Sequence, residues 1–256
     1  MKSAARHTIA EYENWTRENM KYACDLHIHS ALSPCAENDM TPNNIVNMAV
    51  LKGLDIIAVT DHNSGANLEA VARCAKKKVL LFVPGMEVET AEEVHLVCLL
   101  PDTEKAHEFQ RYVEATLPDM ANREDIFGRQ VILDENDEII GEEKQMLATA
   151  ANLTVEKTHQ LIRKLGGAMI PAHVDRPSYS ILSNLGIIPE HLSFTQLEVS
   201  KNCDLQAFRA DKPELDRYKL IRSSDAHCLG DILERETFLE LDNLSVRAVL
   251  DIFCGT

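Results

Sequence analysis

Short apolar runs alternate with amphipathic stretches along most of the chain, which predicts strands that alternate with helices. Uninterrupted apolar runs of this kind are typical of strands that are buried on both faces, as in parallel sheets. The predicted strands are residues 22–26, 55–59, 79–83, 94–100, 168–172, 195–199 and 220–223. We therefore expect an α/β fold, in which the strands form a parallel barrel surrounded by helices.

Local signals place some of these boundaries. Thr41 and Pro42 have the residue types of an N-cap and a first helical position, and Gly53 follows the end of that predicted helix. The pair Pro84-Gly85 predicts the end of the third strand. An apolar stripe at helical spacing predicts the next helix, and a last helix is predicted over residues 245–253.

The alternation lapses between about residues 102 and 164, where one amphipathic helix, a hairpin around 134–137 and two further helices are predicted. We interpret this segment as a mainly helical insertion in one domain that spans residues 22–256. Residues 1–21 are predicted to be an N-terminal appendage. A chain of 256 residues is long enough for one domain of this size.

Composition bears on partners and location. The formal net charge of −15 predicts repulsion of long polyanions, so we expect a small phosphorylated substrate or a short oligonucleotide, and no duplex DNA. No apolar stretch approaches the roughly 20 residues that span a bilayer, and no signal segment precedes the first strand, so we expect a cytoplasmic protein without membrane contact. The seven cysteines lack a C-x-x-C pair, which favours reduced thiols.

Histidines and carboxylates recur where predicted strands end. His27 and His29 lie two residues apart at the end of the first strand, so strand alternation points both rings the same way. The C-terminal ends of parallel barrel strands meet at one face, which is where barrel enzymes keep their active sites. His95 lies inside a predicted apolar strand and not at its end, but a short hairpin after Glu87 would return it to the same face. The other candidate ligands at strand ends are Asp61, His62, Glu87, His173, Asp225 and His227.

These ligand types predict a transition-metal centre. Imidazole and carboxylate suit Zn, Mn or Fe, whereas Ca or Mg sites are built from oxygens. Glu87 is expected to bridge two ions, and paired ions of this kind serve phosphoester hydrolysis. Cys35 and Cys228 are interpreted as neighbours of the centre and not as ligands. The histidines without such context, assigned to the surface, are His7, His107, His159 and His191.

Five ordered motifs resemble those of the PHP (polymerase and histidinol phosphatase) superfamily, with the greatest likeness to its stand-alone nucleotide phosphoesterases. The motifs are Asp25-Leu-His-Ile-His29, Val59-Thr-Asp-His-Asn63, Gly85-Met-Glu87, Pro171-Ala-His173 and Ser223-Ser-Asp-Ala-His227. The resemblance implies a distorted (β/α)7 TIM-like barrel with two or three divalent ions. It implies one ion on His27, His29, Glu87 and Asp225, a second on Glu87, His95 and His173, and a third on His62 and His227.

One position departs from that pattern. The family places an Asp or His five or six residues after H-x-H, where this chain has Pro34 and Cys35, so the third site is expected to be weak. Glu37 or Asp39 of the same loop could supply the missing ligand.

We expect a metal-dependent phosphoesterase that works through a metal-activated hydroxide. Asp225 and His227 are predicted catalytic residues, and His227 is expected to protonate the leaving oxygen. Arg176 is predicted to bind the substrate phosphate through its planar fork. The alternatives are a metal-dependent amidohydrolase, whose barrel also opens with H-x-H, and a non-catalytic metal-binding regulatory module.

Overall fold

A computed structural model of the protein describes residues 20–254 of the chain. The strands are β1 (Met20–Ile28), β2 (Ile56–Val59), β3 (Leu81–Glu89), β4 (His95–Leu99), β5 (Val131–Leu133), β6 (Ile139–Glu142), β7 (Ala168–Pro171), β8 (Gln196–Val199), β9 (Lys219–Arg222) and β10 (Phe238–Leu241). The α-helices are α1 (Pro42–Leu51), α2 (Leu68–Lys78), α3 (Thr103–Glu114), α4 (Glu124–Phe127), α5 (Val155–Lys164), α6 (Ile181–Leu185), α7 (Leu205–Asp211) and α8 (Val246–Cys254). Short 3₁₀ turns cover Glu190–Leu192, Pro213–Leu215 and Leu229–Asp231.

A six-stranded sheet in the order β10-β1-β2-β3-β4-β7 forms half of a barrel, and β8 pairs with β9 separately. Strands β1, β2 and β3 are parallel, whereas β4 is antiparallel to both β3 and β7. Hydrogen bonds link the β8–β9 pair to the two sides of the sheet, from Val174 N–H to the Glu198 carbonyl (2.8 Å) and from His29 N–H to the Ala226 carbonyl (2.9 Å). The mixed α/β fold is confirmed, and the count of seven β/α units stays a prediction.

The direction of β4 differs from an all-parallel barrel, because the connection from β3 is too short for a crossover helix and allows only a hairpin. Within that hairpin, Glu89 pairs with His95. The first residue of β4 therefore lies at the edge where β1, β2 and β3 end, as the sequence predicts for His95.

Pro84-Gly85 does not end β3, contrary to the sequence prediction. The strand continues to Glu89 and changes partner there, because Pro84 is the last residue paired with β2 and Gly85 is the first paired with β4. A Cβ on Gly85 would lie 2.7 Å from the Thr60 methyl group, so only glycine fits this crossing.

Several local predictions are confirmed. The Thr41 side chain accepts a hydrogen bond from Asn44 N–H at the start of α1, and β5 and β6 form the hairpin predicted around residues 134–137. The boundaries of the domain and of its insertion stay predictions. Residues 1–19 of the predicted appendage lie outside the described residues, whereas Met20 and Lys21 belong to β1 and pair with β10.

Two apolar clusters cover opposite faces of the sheet. Ile57 and Val59 pack in one cluster with the helices of the outer layer, whereas Ile56 and Ala58 pack in the other, which includes residues of α8. Side chains of a strand alternate between faces, so a buried four-residue strand contributes to both. This packing fixes the strand ends that hold the candidate ligands.

Candidate metal centre

Glu87 lies at the centre of the predicted ligands, and both its oxygens contact imidazoles. Its side chain is almost fully buried. The Oε1 atom is 2.9 Å from His95 Nδ1, 3.2 Å from His27 Nε2 and 3.3 Å from His173 Nε2, and Oε2 is 3.0 Å from His62 Nδ1 and 3.4 Å from His29 Nε2. Imidazoles from separate strand ends thus converge on one carboxylate.

Asp225 is the second carboxylate of the cluster. Its Oδ1 atom is 3.0 Å from His29 Nε2 and 3.3 Å from His27 Nε2, while Oδ2 forms an ion pair with Arg176 Nη1 at 2.7 Å. His227 Nδ1 donates to the Asp225 backbone carbonyl at 2.8 Å. Asp225 therefore connects the buried imidazoles to the exposed rim.

The backbone turns sharply where three ligand-bearing segments leave their strands. Asn63, His173 and Asp225 have positive φ values of 49°, 29° and 52°. Left-handed geometry is uncommon for residues other than glycine and is found where surrounding structure holds it, often at functional sites. These turns set the direction in which the histidine and carboxylate side chains point.

Hydrogen bonds fix the tautomer of His27. Its Nδ1 atom lies 2.9 Å from Glu198 Oε1, and an ionised carboxylate can only accept. The Nδ1 atom therefore carries a proton, and in the neutral ring Nε2 has the lone pair that faces the cluster. Glu198 Oε1 also accepts from His173 N–H at 3.1 Å, so this one oxygen orients two of the histidines.

A relay through Ser33 fixes the tautomer of His29. The Ser33 hydroxyl donates to Asp61 Oδ1 at 2.7 Å and accepts from His62 N–H at 3.1 Å. With its proton committed to Asp61, the hydroxyl can only accept from His29 Nδ1, which lies 2.9 Å away. The Nε2 atom of His29 therefore also carries a lone pair.

The two Nε2 atoms lie 3.2 Å apart and face carboxylate oxygens, so lone pairs oppose one another and positive charge is needed between them. The pKa values reflect this field. Burial disfavours the charged form of Glu87, but His95, His27 and His62 hold its pKa well below the ordinary value. Nitrogen and carboxylate donors fit divalent transition ions, and outer hydrogen bonds of this kind orient metal-binding histidines.

Three groups of side chains bring their ligand atoms within 4.8 Å of one another. The group His27, His29, Glu87 and Asp225 coincides with the set implied for the first ion. The second group contains His62 with Glu87 and His95, in place of the implied His173, although His173 still contacts Glu87. The third adds His29 to His62 and His227.

Asp61 does not belong to these groups, and its assignment as a metal ligand stays a prediction. Its carboxylate is buried and accepts from Ser30 N–H (2.7 Å), the Ser30 hydroxyl (2.6 Å) and the Ser33 hydroxyl. Burial raises its pKa, and the Ser30 and Ser33 hydrogen bonds oppose that rise. Asp61 thus acts on His29 through Ser33.

The loop after β1 contains the position where the sequence departs from the PHP pattern. Pro34 is buried, and the side chains of Glu37 and Asp39 are exposed and outside the donor groups found in residues 20–254. The Cys35 thiol lies near the side chains of His227 and His62. Burial raises the pKa of this thiol, but those two histidines outweigh it and lower the pKa to about 7.

Sequence reasoning missed Glu198 and Ser33. Glu198 is a buried carboxylate inside a predicted strand, and a charged residue in such a position was a usable signal. Ser33 carried no signal, because its role depends on contacts with residues 28 and 29 positions further along the chain. His107 and His191 lie away from the centre, His159 is half-buried against Phe194, and His7 lies outside the described residues.

A family model described as the PHP domain matches residues 25–175, which is more than half of the chain. The chain belongs to the PHP domain family. A search of curated proteins finds an uncharacterized protein of Methanocaldococcus jannaschii that is 26% identical over 162 residues. That match covers 63% of this chain and 17% of the relative, so the chain spans about a sixth of the relative's length.

Solved structures share the fold at low sequence identity. The lesion-specific endonuclease EndoQ from Pyrococcus furiosus aligns with a TM-score of 0.67 and 20% identity, over 93% of this chain and 56% of that one. A Bifidobacterium adolescentis protein, described from its structure as a candidate metal-dependent phosphoesterase, aligns with a TM-score of 0.59 and 16% identity, over 90% and 95% of the two chains. These likenesses establish the PHP fold.

The expectation that duplex DNA is excluded is wrong. An Endonuclease Q structure that aligns with 91% of this chain, at a TM-score of 0.66 and 20% identity, holds a 27-mer duplex with an abasic lesion at the active site. Net charge is a sum over the whole surface, whereas a phosphate responds to the local field, which bound cations dominate at a metal centre. The net charge of −15 therefore does not decide between a nucleotide and a duplex.

Within residues 20–254, the helices are too short or too polar to cross a bilayer.

Proposed function

We propose that this chain is a metal-dependent phosphoesterase that hydrolyses a phosphoester of a nucleotide or an oligonucleotide. The observation that carries the proposal is the shared position of Glu87, which belongs both to the group with His27, His29 and Asp225 and to the group with His62 and His95. A carboxylate common to two donor groups is the arrangement that holds two cations close together. Paired cations suit phosphoryl displacement, because they stabilise both the attacking and the leaving oxygen.

Bound divalent ions would supply a nucleophile at neutral pH and offset charge on the phosphoryl oxygens. The donor set fits Zn, Mn or Fe. His27, His29, Glu87 and Asp225 would hold one ion, and Glu87 with His62 and His95 would hold another. The residues of the chain have the remaining tasks of holding the substrate, orienting it and delivering a proton.

Arg176 is proposed to bind the substrate phosphate. Its side chain is 43% exposed, and its Nη1 atom is 2.7 Å from Asp225 Oδ2. The ion pair with a carboxylate of the first donor group keeps the guanidinium beside the metal centre while the rest of the fork faces solvent. A planar fork can hold two oxygens of one phosphate.

His227 is proposed to deliver the proton to the leaving oxygen. At 32% exposure its side chain is the most accessible imidazole of the cluster. Burial lowers the pKa of His227, but the nearby Cys35 and the charge of Asp225 raise it above the ordinary value. A raised pKa keeps a larger fraction of the imidazole protonated near neutral pH, as a general acid requires.

Tyr179 supports a substrate that carries a base. Its ring is 47% exposed at the rim and lies 5.0 Å from the His95 ring, with 32° between the planes. The Tyr179 carbonyl accepts from His95 N–H at 2.9 Å, which fixes this residue beside the centre despite its positive φ of 55°. An exposed aromatic face suits base stacking, worth about 1–3 kcal/mol per base.

The test is hydrolysis after exhaustive chelation and after reloading with Mn²⁺ or Zn²⁺. We expect turnover of a nucleoside p-nitrophenyl phosphate diester to vanish on chelation and return on loading, with p-nitrophenyl phosphate as the comparison without a base. Nucleotides, single strands and duplexes of graded length then define the substrate class. Stoichiometric metal uptake without turnover of any phosphoester would favour the regulatory module, and amide hydrolysis alone would favour the amidohydrolase.

A further inference from the structure

A cavity of about 290 Å³ lies at the end of the sheet opposite the metal centre. It is formed by α5, the 3₁₀ turn Glu190–Leu192, the start of β7 and the end of α8. Ala168 begins β7, and His173 follows the other end of that strand, so roughly 13 Å of extended chain separates the cavity from the histidine that contacts Glu87. The cavity is therefore separate from the metal centre.

Nitrogen donors line the cavity, and none of its lining residues within 20–254 is Asp or Glu. The donors are Arg163, His159 and His191, with the Ser193 hydroxyl beside them. The chain as a whole has 41 Asp and Glu residues against 26 Lys and Arg residues, so a lining without acids differs from the average composition. Such a lining favours an anion as the ligand.

Arg163 is the charged residue of this cavity. It lies in the last turn of α5, and its Nη1 atom donates to the Cys254 carbonyl at 3.2 Å. It forms no ion pair with a carboxylate of the described chain, residues 20–254. A guanidinium has five N–H donors, so this one hydrogen bond fixes the side chain and leaves four donors. The planar fork suits a carboxylate or a phosphate.

Two imidazoles extend the donor set. His159 and Arg163 are four residues apart on α5 and so share one face of the helix. The His191 side chain is 66% exposed, and its Nε2 atom is 3.9 Å from Glu156 Oε1, too far for a hydrogen bond. Burial lowers the pKa of His159, and the charges of Arg163 and His191 lower it further. The three side chains therefore share one positive field, which a bound anion would neutralise.

The end of α8 does not oppose an anion here. The last carbonyls of a helix carry partial negative charge, but donors of the protein already contact these. The Thr195 hydroxyl contacts the Ile252 and Phe253 carbonyls at 3.3 and 3.4 Å, and Arg163 bonds the Cys254 carbonyl. Their negative charge is therefore offset within the protein.

Apolar side chains form the remaining wall. Phe194 and Phe253 are buried, and both line the cavity with Met169 and Leu192. The Phe194 ring meets the His159 ring edge to face, with centroids 6.1 Å apart and 73° between the planes. Aromatic walls favour a flat apolar body, and about 290 Å³ is at the low end for small-molecule sites. The cavity thus suits a ligand with one ring and one charged group.

We propose that this cavity binds a small aromatic oxyanion. The charged group contacts Arg163 and the two imidazoles, and the ring packs against the two phenylalanines. Aromatic carboxylates and aromatic phosphomonoesters share this chemistry. The inference does not depend on metal binding or on turnover, because the residues that carry it lie at the other end of β7 from the metal centre.

The experiment is a titration of chelator-treated protein with phenylphosphonate, whose carbon–phosphorus bond is not a phosphoester. Nuclear magnetic resonance of ¹³C-labelled histidine rings locates the binding. We expect saturable shifts of the His159 and His191 signals, with a Kd below about 1 mM. Methylphosphonate has the same charged group without the ring and should bind at least about tenfold more weakly. Benzoate tests the carboxylate class, and saturable shifts of these signals by either aromatic probe support the proposal.

Lys164 supplies a matched control, because it follows Arg163 in α5, is exposed and does not line the cavity. Arg163→Gln should weaken binding at least about tenfold, whereas Lys164→Gln, which removes the same charge, should bind as the wild type does. Arg176→Ala should also bind normally, because it changes the phosphate contact proposed at the metal centre. Circular dichroism on each variant checks folding.

Three results would each overturn the proposal. They are the absence of saturable binding by both aromatic probes, equal affinities of Arg163→Gln and Lys164→Gln, and loss of binding in Arg176→Ala. Equal affinities for phenylphosphonate and methylphosphonate would also overturn it, because the ring would then contribute nothing. This last comparison uses the wild type alone and so decides even if Arg163→Gln does not fold.

Discussion

Replacing Ser33 with alanine should weaken metal binding through a histidine that stays in place. The Ser33 hydroxyl makes three contacts, with Asp61 Oδ1 at 2.7 Å, His29 Nδ1 at 2.9 Å and His62 N–H at 3.1 Å. Without the hydroxyl, nothing in this relay requires His29 to carry its proton on Nδ1. The tautomer protonated on Nε2 cannot bind an ion at the position that faces His27 and Asp225.

Ser33→Ala should lower metal affinity, because His29 loses an orienting contact, and should lower stability, because buried groups lose partners. Removing such an outer hydrogen bond typically costs 10–100-fold in metal affinity, or about 1.4–2.7 kcal/mol. The buried His62 N–H and one Asp61 oxygen also lose a partner, so the free energy of unfolding should fall by about 1–3 kcal/mol.

Metal affinity is measured by competition against a chromophoric chelator, stability by urea unfolding of chelator-treated protein, and the His29 tautomer by long-range ¹H–¹⁵N correlation. Ser223→Ala is the control, because Ser223 is a buried serine whose hydroxyl has no hydrogen-bond partner within residues 20–254. We expect it to bind metal normally. Equal metal affinities for Ser33→Ala and Ser223→Ala would refute the relay, even if only the first variant lost stability.

Three further predictions concern the centre. Glu87→Gln should lower the metal content of dialysed protein together with the rate, because it removes the charge shared by two donor groups; elemental analysis that finds full occupancy would exclude bridging. Arg176→Ala should raise KM with metal content retained, and a change confined to kcat would argue against phosphate binding. In chelator-treated protein at pH 7.5, iodoacetamide should label Cys35 well before Cys203. The pKa of Cys35 is lowered to about 7, whereas burial and Asp175 raise the pKa of Cys203 to about 11. Peptide mapping that finds the reverse order of labelling would contradict both shifts.

The rate at which iodoacetamide labels Cys35 should depend on pH. The thiolate fraction, and with it the labelling rate, should rise as the pH increases through about 7, because the thiol loses its proton there and the nearby histidines hold its pKa at that value.

The sequence by itself determined the features that depend on near neighbours along the chain. The two-residue spacing of His27 and His29 is enough to point both rings the same way, and their Nε2 atoms lie 3.2 Å apart. The cap of α1 at Thr41 and the β5–β6 hairpin follow from residue types within a few positions. The placement of ligands at strand ends followed from the motifs, because parallel strands in one barrel share an edge.

Only the tertiary structure decided which distant groups meet. The Glu198 contact with His27 spans 171 positions of sequence, and the relay from Asp61 through Ser33 joins the ends of β1 and β2. No periodicity encodes such contacts, because they arise from how the curved sheet and the separate β8–β9 pair bring strand ends together. The change of partner at Gly85 has the same origin. Pro84 and Gly85 are residue types that end strands, but pairing with β2 before Gly85 and with β4 after it keeps β3 continuous. The wrong prediction that duplex DNA is excluded came from the net charge of the whole chain. A net charge holds no information about where cations gather in space.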